Sequence, residues 1–112
     1  MTERLVEVKA LDAALQRFTR ARHWEQYHSP KNLAMALTGE VGELVEIFQW
    51  LTEEQSRSVA QNPETAEAVR DELADVLIYL VELASALGVD LNEVVNAKLA
   101  KNALKYPADP AA

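Results

Sequence analysis

The chain has 112 residues, no cysteine and a formal net charge of −7, with 49% of its residues apolar and 26% charged. That size suits one domain burying about two thirds of its unfolded surface, and the composition is that of a globular rather than a disordered protein. Disulfides and thiolate metal sites are excluded, the acidic balance argues against a general nucleic-acid binder, and the longest apolar run, Val76 to Val81, is too short to span a bilayer.

Taken in order, Met1-Thr2-Glu3-Arg4 leads into a mixed charged stretch with no apolar core of a secretory signal, so a cytoplasmic protein is expected. Residues 5–22 predict an amphipathic helix, with Leu5, Val8, Leu11, Leu15 and Phe18 on one face and Arg17, Arg20 and Arg22 off it. His23 to Ser29 reads as a polar and aromatic loop. Ser29-Pro30 is a good N-cap and first helical position for a second helix running to about Leu51. Residues 52–62 are polar, with room for a helical turn or two. Asn62-Pro63 repeats the cap-and-proline start and opens a third helix to about Leu87, stopped by Gly88. Asp90-Leu91-Asn92-Glu93 resembles a capping box opening a fourth helix to about Lys105. Tyr106-Pro107 then leads into an Ala/Pro tail, 108–112, expected to be disordered.

No strand pattern survives, so the expected fold is all-α: a four-helix bundle in one domain, 1–107. Helix three is apolar nearly all round from Val76 to Val81, whereas a helix in a small monomeric bundle keeps a wet face. Burial by a second chain is the simplest account, and a homo-oligomer is expected. Gly39 and Gly42 each cost helix two about 1 kcal/mol relative to Ala. They point either to close approach of another helix or ligand, or to weakness tolerated by packing.

The residues that carry chemistry are acidic. In helix two, Glu40 lies within the apolar stripe of Leu33, Leu37, Leu44, Phe48 and Leu51, and Glu43 follows at i+3 on the same side. In helix three, Glu72 and Asp75 repeat that spacing amid Val69, Leu73, Val76 and Leu77. Four carboxylates beside apolar faces repel one another and resist ionisation unless a cation holds them. Residues 40–75 contain ten acidic groups against Arg57 and Arg70, while the last helix carries Lys98, Lys101 and Lys105. An acidic centre with basic residues nearby suits a polyanion bound through a divalent metal; solvated helix faces account for Glu53, Glu54, Glu64 and Glu67. Mg²⁺ takes oxygen ligands and often shares them with substrate phosphates. A di-iron bundle normally wants Glu-x-x-His on two helices, whereas the two histidines of this chain, His23 and His28, both fall in the loop.

Glu40-x-x-Glu43, a 28-residue spacer and Glu72-x-x-Asp75 resemble the metal signature of the all-α, MazG-like nucleoside triphosphate pyrophosphohydrolases. His23 to His28, Asn32, residues 40–50, Asp75 to Leu80 and Lys105-Tyr106-Pro107 are similar to the dCTP pyrophosphatase branch, so the likeness runs from about Phe18 to Pro107. The resemblance implies hydrolysis of a (deoxy)nucleoside triphosphate, with dCTP or a modified dCTP leading, to the monophosphate and pyrophosphate in nucleotide-pool sanitation. It implies Mg²⁺, with Mn²⁺ as a substitute, held by Glu40, Glu43, Glu72 and Asp75. By chemistry, one of these or Glu46 could orient the attacking water. Lys31, Lys98, Asn102 and Tyr106 fall where the family contacts phosphates, and Trp24, His28, Trp50 and Tyr79 fall around its base and sugar pocket. The branch is typically tetrameric, with sites completed across subunits. Some relatives carry a histidine in helix one that helps contact the base; Leu15 stands at the matching position, a departure that bears on cytosine selectivity more than on catalysis. The competing class is a non-catalytic oligomerisation or nucleotide- and metal-sensing module on the same helices.

Overall fold

The computed structural model describes residues 2–111; the readings made at Met1 and at Ala112 lie outside the described residues. Among those residues every regular element is helical: α1 (Lys9–Ala21), a 3₁₀ turn (Glu25–Tyr27), α2 (Pro30–Phe48), the short α3 (Glu53–Arg57), α4 (Ala66–Leu87) and α5 (Leu91–Lys105). Among the described residues no helix is long and apolar enough to cross a membrane.

The main packing is α2 against α4, with α1 laid on α4. Leu33 of α2 and Val69 and Val81 of α4 are the most deeply buried large side chains, joined by Leu15 of α1. Those positions follow from helical spacing, since each sits where its stripe meets a neighbouring helix. The longest helix, α4, is therefore the element against which the others are arranged.

Helix ends obey local chemistry, and two differ from the sequence expectation because a competing hydrogen bond wins. The first helix starts at Lys9, not at residue 5: Val8 offers no side-chain cap. The Asn92 amide oxygen instead accepts from the backbone N–H groups of Leu5 and Val6, at 2.8 and 2.9 Å. Residues 2–8 thus run as a strap to the start of α5, where Asn96 also donates to the Glu3 carbonyl. The helix expected from Asn62-Pro63 begins at Ala66, because Asn62 spends its side chain accepting from Glu64 N–H within a turn. Thr65 donates its hydroxyl to the Val59 carbonyl rather than capping α4. Ser29 caps α2 and Asp90 caps α5 as expected. Thr52 and Gln55 form a reciprocal capping box that starts α3, and α2 ends earlier, at Phe48, to make room for it. Gly88 terminates α4 at φ +66°, a left-handed conformation that glycine adopts without steric cost.

Within one chain the extensive packing is that of α2 on α4, with α1 on α4. No contact of α5 matches the α2 and α4 packing in extent, and Leu99 and Leu104 on it are exposed, Leu104 to 85%. On α4, Leu73, Leu77 and Leu80 also face outward. The radius of gyration is 17.3 Å, against ~13 Å for a compact chain of this length. A Cβ at Gly39 or Gly42 would meet nothing within 4 Å, so no helix of the same chain approaches α2 closely there.

Candidate active site

Where α2 crosses α4, the carboxylates of Glu40, Glu43 and Glu72 each bring an oxygen within 4.8 Å of the others. Helical geometry explains the gathering. Glu40 and Glu43 share one side of α2, and Glu72 projects from the facing turn of α4. One oxygen each of Glu40 and Glu72 is buried with no hydrogen-bond partner, a costly arrangement for polar atoms. The adjoining Glu40 carboxyl, followed by burial and by Glu43, pushes the Glu72 carboxyl up to about 7. The described ion pairs, Arg4–Glu7 and Arg57–Glu54, leave these three carboxylates without a basic partner. Orphaned oxygens on converging carboxylates are the donor set of a hard divalent cation, so the residues present fit such an ion.

Asp75, the fourth member of the expected quartet, is not among the three that converge. It lines an adjoining cavity of about 360 Å³ together with Leu15 and Phe18 of α1, Trp24 and His28 of the linker, and Tyr79 and Glu82 of α4. The cavity abuts the carboxylates: burial first, and then Glu40, Glu82 and Asp75, raise the Tyr79 hydroxyl above its ordinary value. Trp24 rests edge-on against Phe18, ring centroids 5.7 Å apart. A left-handed turn at His23 (φ +57°) ends α1 and directs the linker back over it. A second cavity, of about 390 Å³, shares His28 and Glu82 with the first and is also lined by Gln16, Thr19 and Glu25.

Of the residues predicted around base and sugar, Trp24, His28 and Tyr79 line one cavity. Trp50 does not; it is 86% exposed just beyond α2. Of the expected phosphate ligands, Lys31 opens α2 on the surface and Lys98 lies in a shallow groove of α5 beside Lys101. Asn102 is half-buried on α5, and Tyr106 is exposed at its end. None of these four lines the cavity beside the carboxylates within one chain. Glu82 is the charged wall residue that sequence reasoning missed. Its signal was available, because 72, 75, 79 and 82 are spaced i, i+3, i+7 and i+10 on one face.

A family model described as MazG-like matches residues 36–112. The chain belongs to the MazG-like family. It is 48% identical over 90 residues to dCTP pyrophosphatase 1 of Bos taurus, covering 80% of this chain and 53% of that protein. Against dCTP pyrophosphatase 1 of Homo sapiens it is 48% identical over 91 residues, covering 81% and 54%. The chain thus spans about half the length of the curated relatives it matches. A solved pyrophosphatase from Archaeoglobus fulgidus superimposes with a TM-score of 0.83 at 37% identity, over 96% of this chain and 99% of that one. The matched MazG-like region contains Glu40, Glu43, Glu72 and Asp75, whereas α1 and the Trp24–His28 linker precede it.

Proposed function

We propose that this chain is a divalent-metal-dependent nucleoside triphosphate pyrophosphohydrolase that converts a deoxynucleotide, dCTP or a modified dCTP foremost, to the monophosphate and pyrophosphate. The observation that carries this reading is the convergence of Glu40, Glu43 and Glu72, with two orphaned buried oxygens, beside an aromatic-walled cavity. The names of the relatives, dCTP pyrophosphatase 1 and a pyrophosphatase, support it.

Glu40, Glu43 and Glu72 would hold the cation, and Asp75, one turn beyond Glu72, would complete the set on the cavity side. Mg²⁺ is the best match to an all-oxygen set, with Mn²⁺ as a substitute. Such an ion, when bound, neutralises phosphate charge and lowers the pKa of a coordinated water. The chain's own residues do the positioning. Trp24 and Tyr79 offer aromatic surface to a base, His28 offers a ring nitrogen, and Leu15, Phe18 and Ile78 exclude water from that end. Hydrolysis joins a water oxygen to phosphorus, breaks the bridge to the departing pyrophosphate, and gives the water proton to a neighbouring carboxylate oxygen.

The working form is a homo-oligomer, and a tetramer suits the family. The accessible surface of one chain is 8664 Å², roughly 2,500 Å² above that of a compact monomer of this mass; an excess of this size matches obligate interfaces. Lys98, Asn102 and Tyr106 on the outlying α5 would then reach the phosphates of a neighbouring copy's site, joined by Lys31. A soluble role in nucleotide-pool sanitation in the cytoplasm follows from that chemistry.

The test is pyrophosphate release from a panel of canonical and modified NTPs and dNTPs with Mg²⁺, beside Glu40→Gln. Release that the substitution abolishes is the expected result. Metal binding without release from any nucleotide would move the protein to the sensing class.

A further inference from the structure

The cavity beside the carboxylates carries one polar group that neither the metal set nor the aromatic walls explain. Glu82 lines both this cavity and the second one. It is half-buried on the face of α4 that also bears Glu72, Asp75 and Tyr79. It takes no part in the described ion pairs; burial raises its carboxyl above the ordinary value, while His28 and the Thr19 hydroxyl act to lower it and favour the ionised form. An ionised carboxylate has about four acceptor sites, so most of its capacity is open to a ligand.

Position gives that capacity a use. Seven residues separate Asp75 from Glu82, two helical turns or ~10.5 Å along one face, a distance comparable to the length of a nucleoside. A nucleotide with its phosphates at Glu40, Glu43 and Glu72 would place its base along α4 toward Glu82, which lines the same cavity as Asp75 and Tyr79. The opposite wall, from α1, is Ala14, Leu15 and Phe18, which can contact a ring but cannot read its polar edge. His28 reads it without choosing, because a neutral imidazole presents a donor on one nitrogen and an acceptor on the other. The Tyr79 hydroxyl likewise both donates and accepts. Glu82, when ionised, only accepts.

We propose that Glu82 sets the base preference of this cavity: its carboxylate accepts a hydrogen bond from the exocyclic amino group of cytosine and rejects the carbonyl oxygen that uracil and thymine carry at the same ring position. The inference rests on the nucleotide reading above and adds to it the residue that discriminates. The two kinds of pyrimidine fill the same volume, so apolar walls alone separate them poorly. A half-buried acceptor facing a carbonyl leaves both unpaired and brings two negative atoms together, which is where discrimination arises. A carboxylate accepting from the cytosine amino group is the matching pair.

The experiment compares kcat/KM for dCTP and dUTP, alike in sugar and phosphates, in the wild type and in Glu82→Gln and Glu82→Leu. It is paired with calorimetric binding of dCMP and dUMP to the same proteins, checked for helicity by circular dichroism. The wild type prefers the cytosine compound in both assays. In Glu82→Gln, whose amide can donate as well as accept, the preference shrinks by about tenfold or more, and in Glu82→Leu it shrinks because the acceptor is gone. A wild type without preference overturns the inference, as does a preference that survives both substitutions, and pyrophosphate release then still stands. If no triphosphate is hydrolysed, the catalytic reading fails, and the monophosphates decide the inference. A Glu82-dependent preference for dCMP supports it, and equal binding or none overturns it.

Discussion

In metal-free protein, Glu72→Gln should remove a specific part of the pH dependence of stability. The Glu72 carboxyl titrates at about 7 in the folded chain against an ordinary value of 4.5. The folded state therefore favours the protonated form. The stabilisation that this proton provides is complete below pH 4.5 and disappears as the pH rises through about 7. Midway between those values the folded group is nearly all protonated and the unfolded group nearly all ionised, so unfolding releases ~0.9 proton from this site. Glutamine keeps the shape, carries no charge and offers an N–H to the orphaned Glu40 oxygen. The variant should lose that ~0.9 proton and be more stable than the wild type above pH 7, with no such advantage below pH 4.5. The assay is urea unfolding in chelator at closely spaced pH values from 4 to 8, comparing the slopes of unfolding free energy against pH. Carboxyls away from this cluster contribute equally to both proteins, so the difference isolates the coupled titration of Glu72 with Glu40 and Glu43. Parallel curves for the two proteins would refute the reasoning, because the carboxylates would then not share a proton.

Three further outcomes follow from particular contacts. Leu33 is 2% exposed between α2 and α4; Leu33→Ala should cost ~2–4 kcal/mol and, at roughly 4 °C per kcal/mol for this length, lower Tm by about 10 °C in a calorimetric scan. Asn92 holds the N–H groups of Leu5 and Val6, so Asn92→Ala should cost ~1–3 kcal/mol. Amide exchange at those two residues should accelerate while the buried turns of α2 and α4 remain protected; unchanged exchange would mean the strap is held otherwise. Leu77 and Leu80 are exposed large hydrophobics on α4, and Leu77→Lys with Leu80→Lys should shift sedimentation to a smaller species without loss of helicity, an assembly of unaltered mass counting against this face as the interface.

Local signals in the sequence reached far because helices are local structures. Ser29 before Pro30, Asp90 before Glu93 and Gly88 after a long apolar segment each act through hydrogen bonds or dihedral preferences within a few residues, and each marks a real helix end. The i, i+3 carboxylate pairs were legible for the same reason, as was the overall all-α class. Where reading failed, the deciding partner was distant in the chain. Asn92 captures Leu5 and Val6 across more than eighty residues, and nothing near residue 5 announces it. Asn62 had the right side chain for a cap, but the turn to Thr65 claimed it.

The sequence by itself determined which residues could bind a cation or a base, since charge, aromaticity and helical period are properties of short stretches. Tertiary structure decided which of them meet. It gathered Glu40, Glu43 and Glu72 and left Asp75 on the cavity side. It joined Trp24, His28 and Tyr79 but not Trp50, and it set Glu82 in the wall of the same cavity. The physical reason is that a convergent site is made by the crossing of α2 and α4 and the path of the linker over α1, and those depend on how whole apolar faces pack rather than on any residue's own preference.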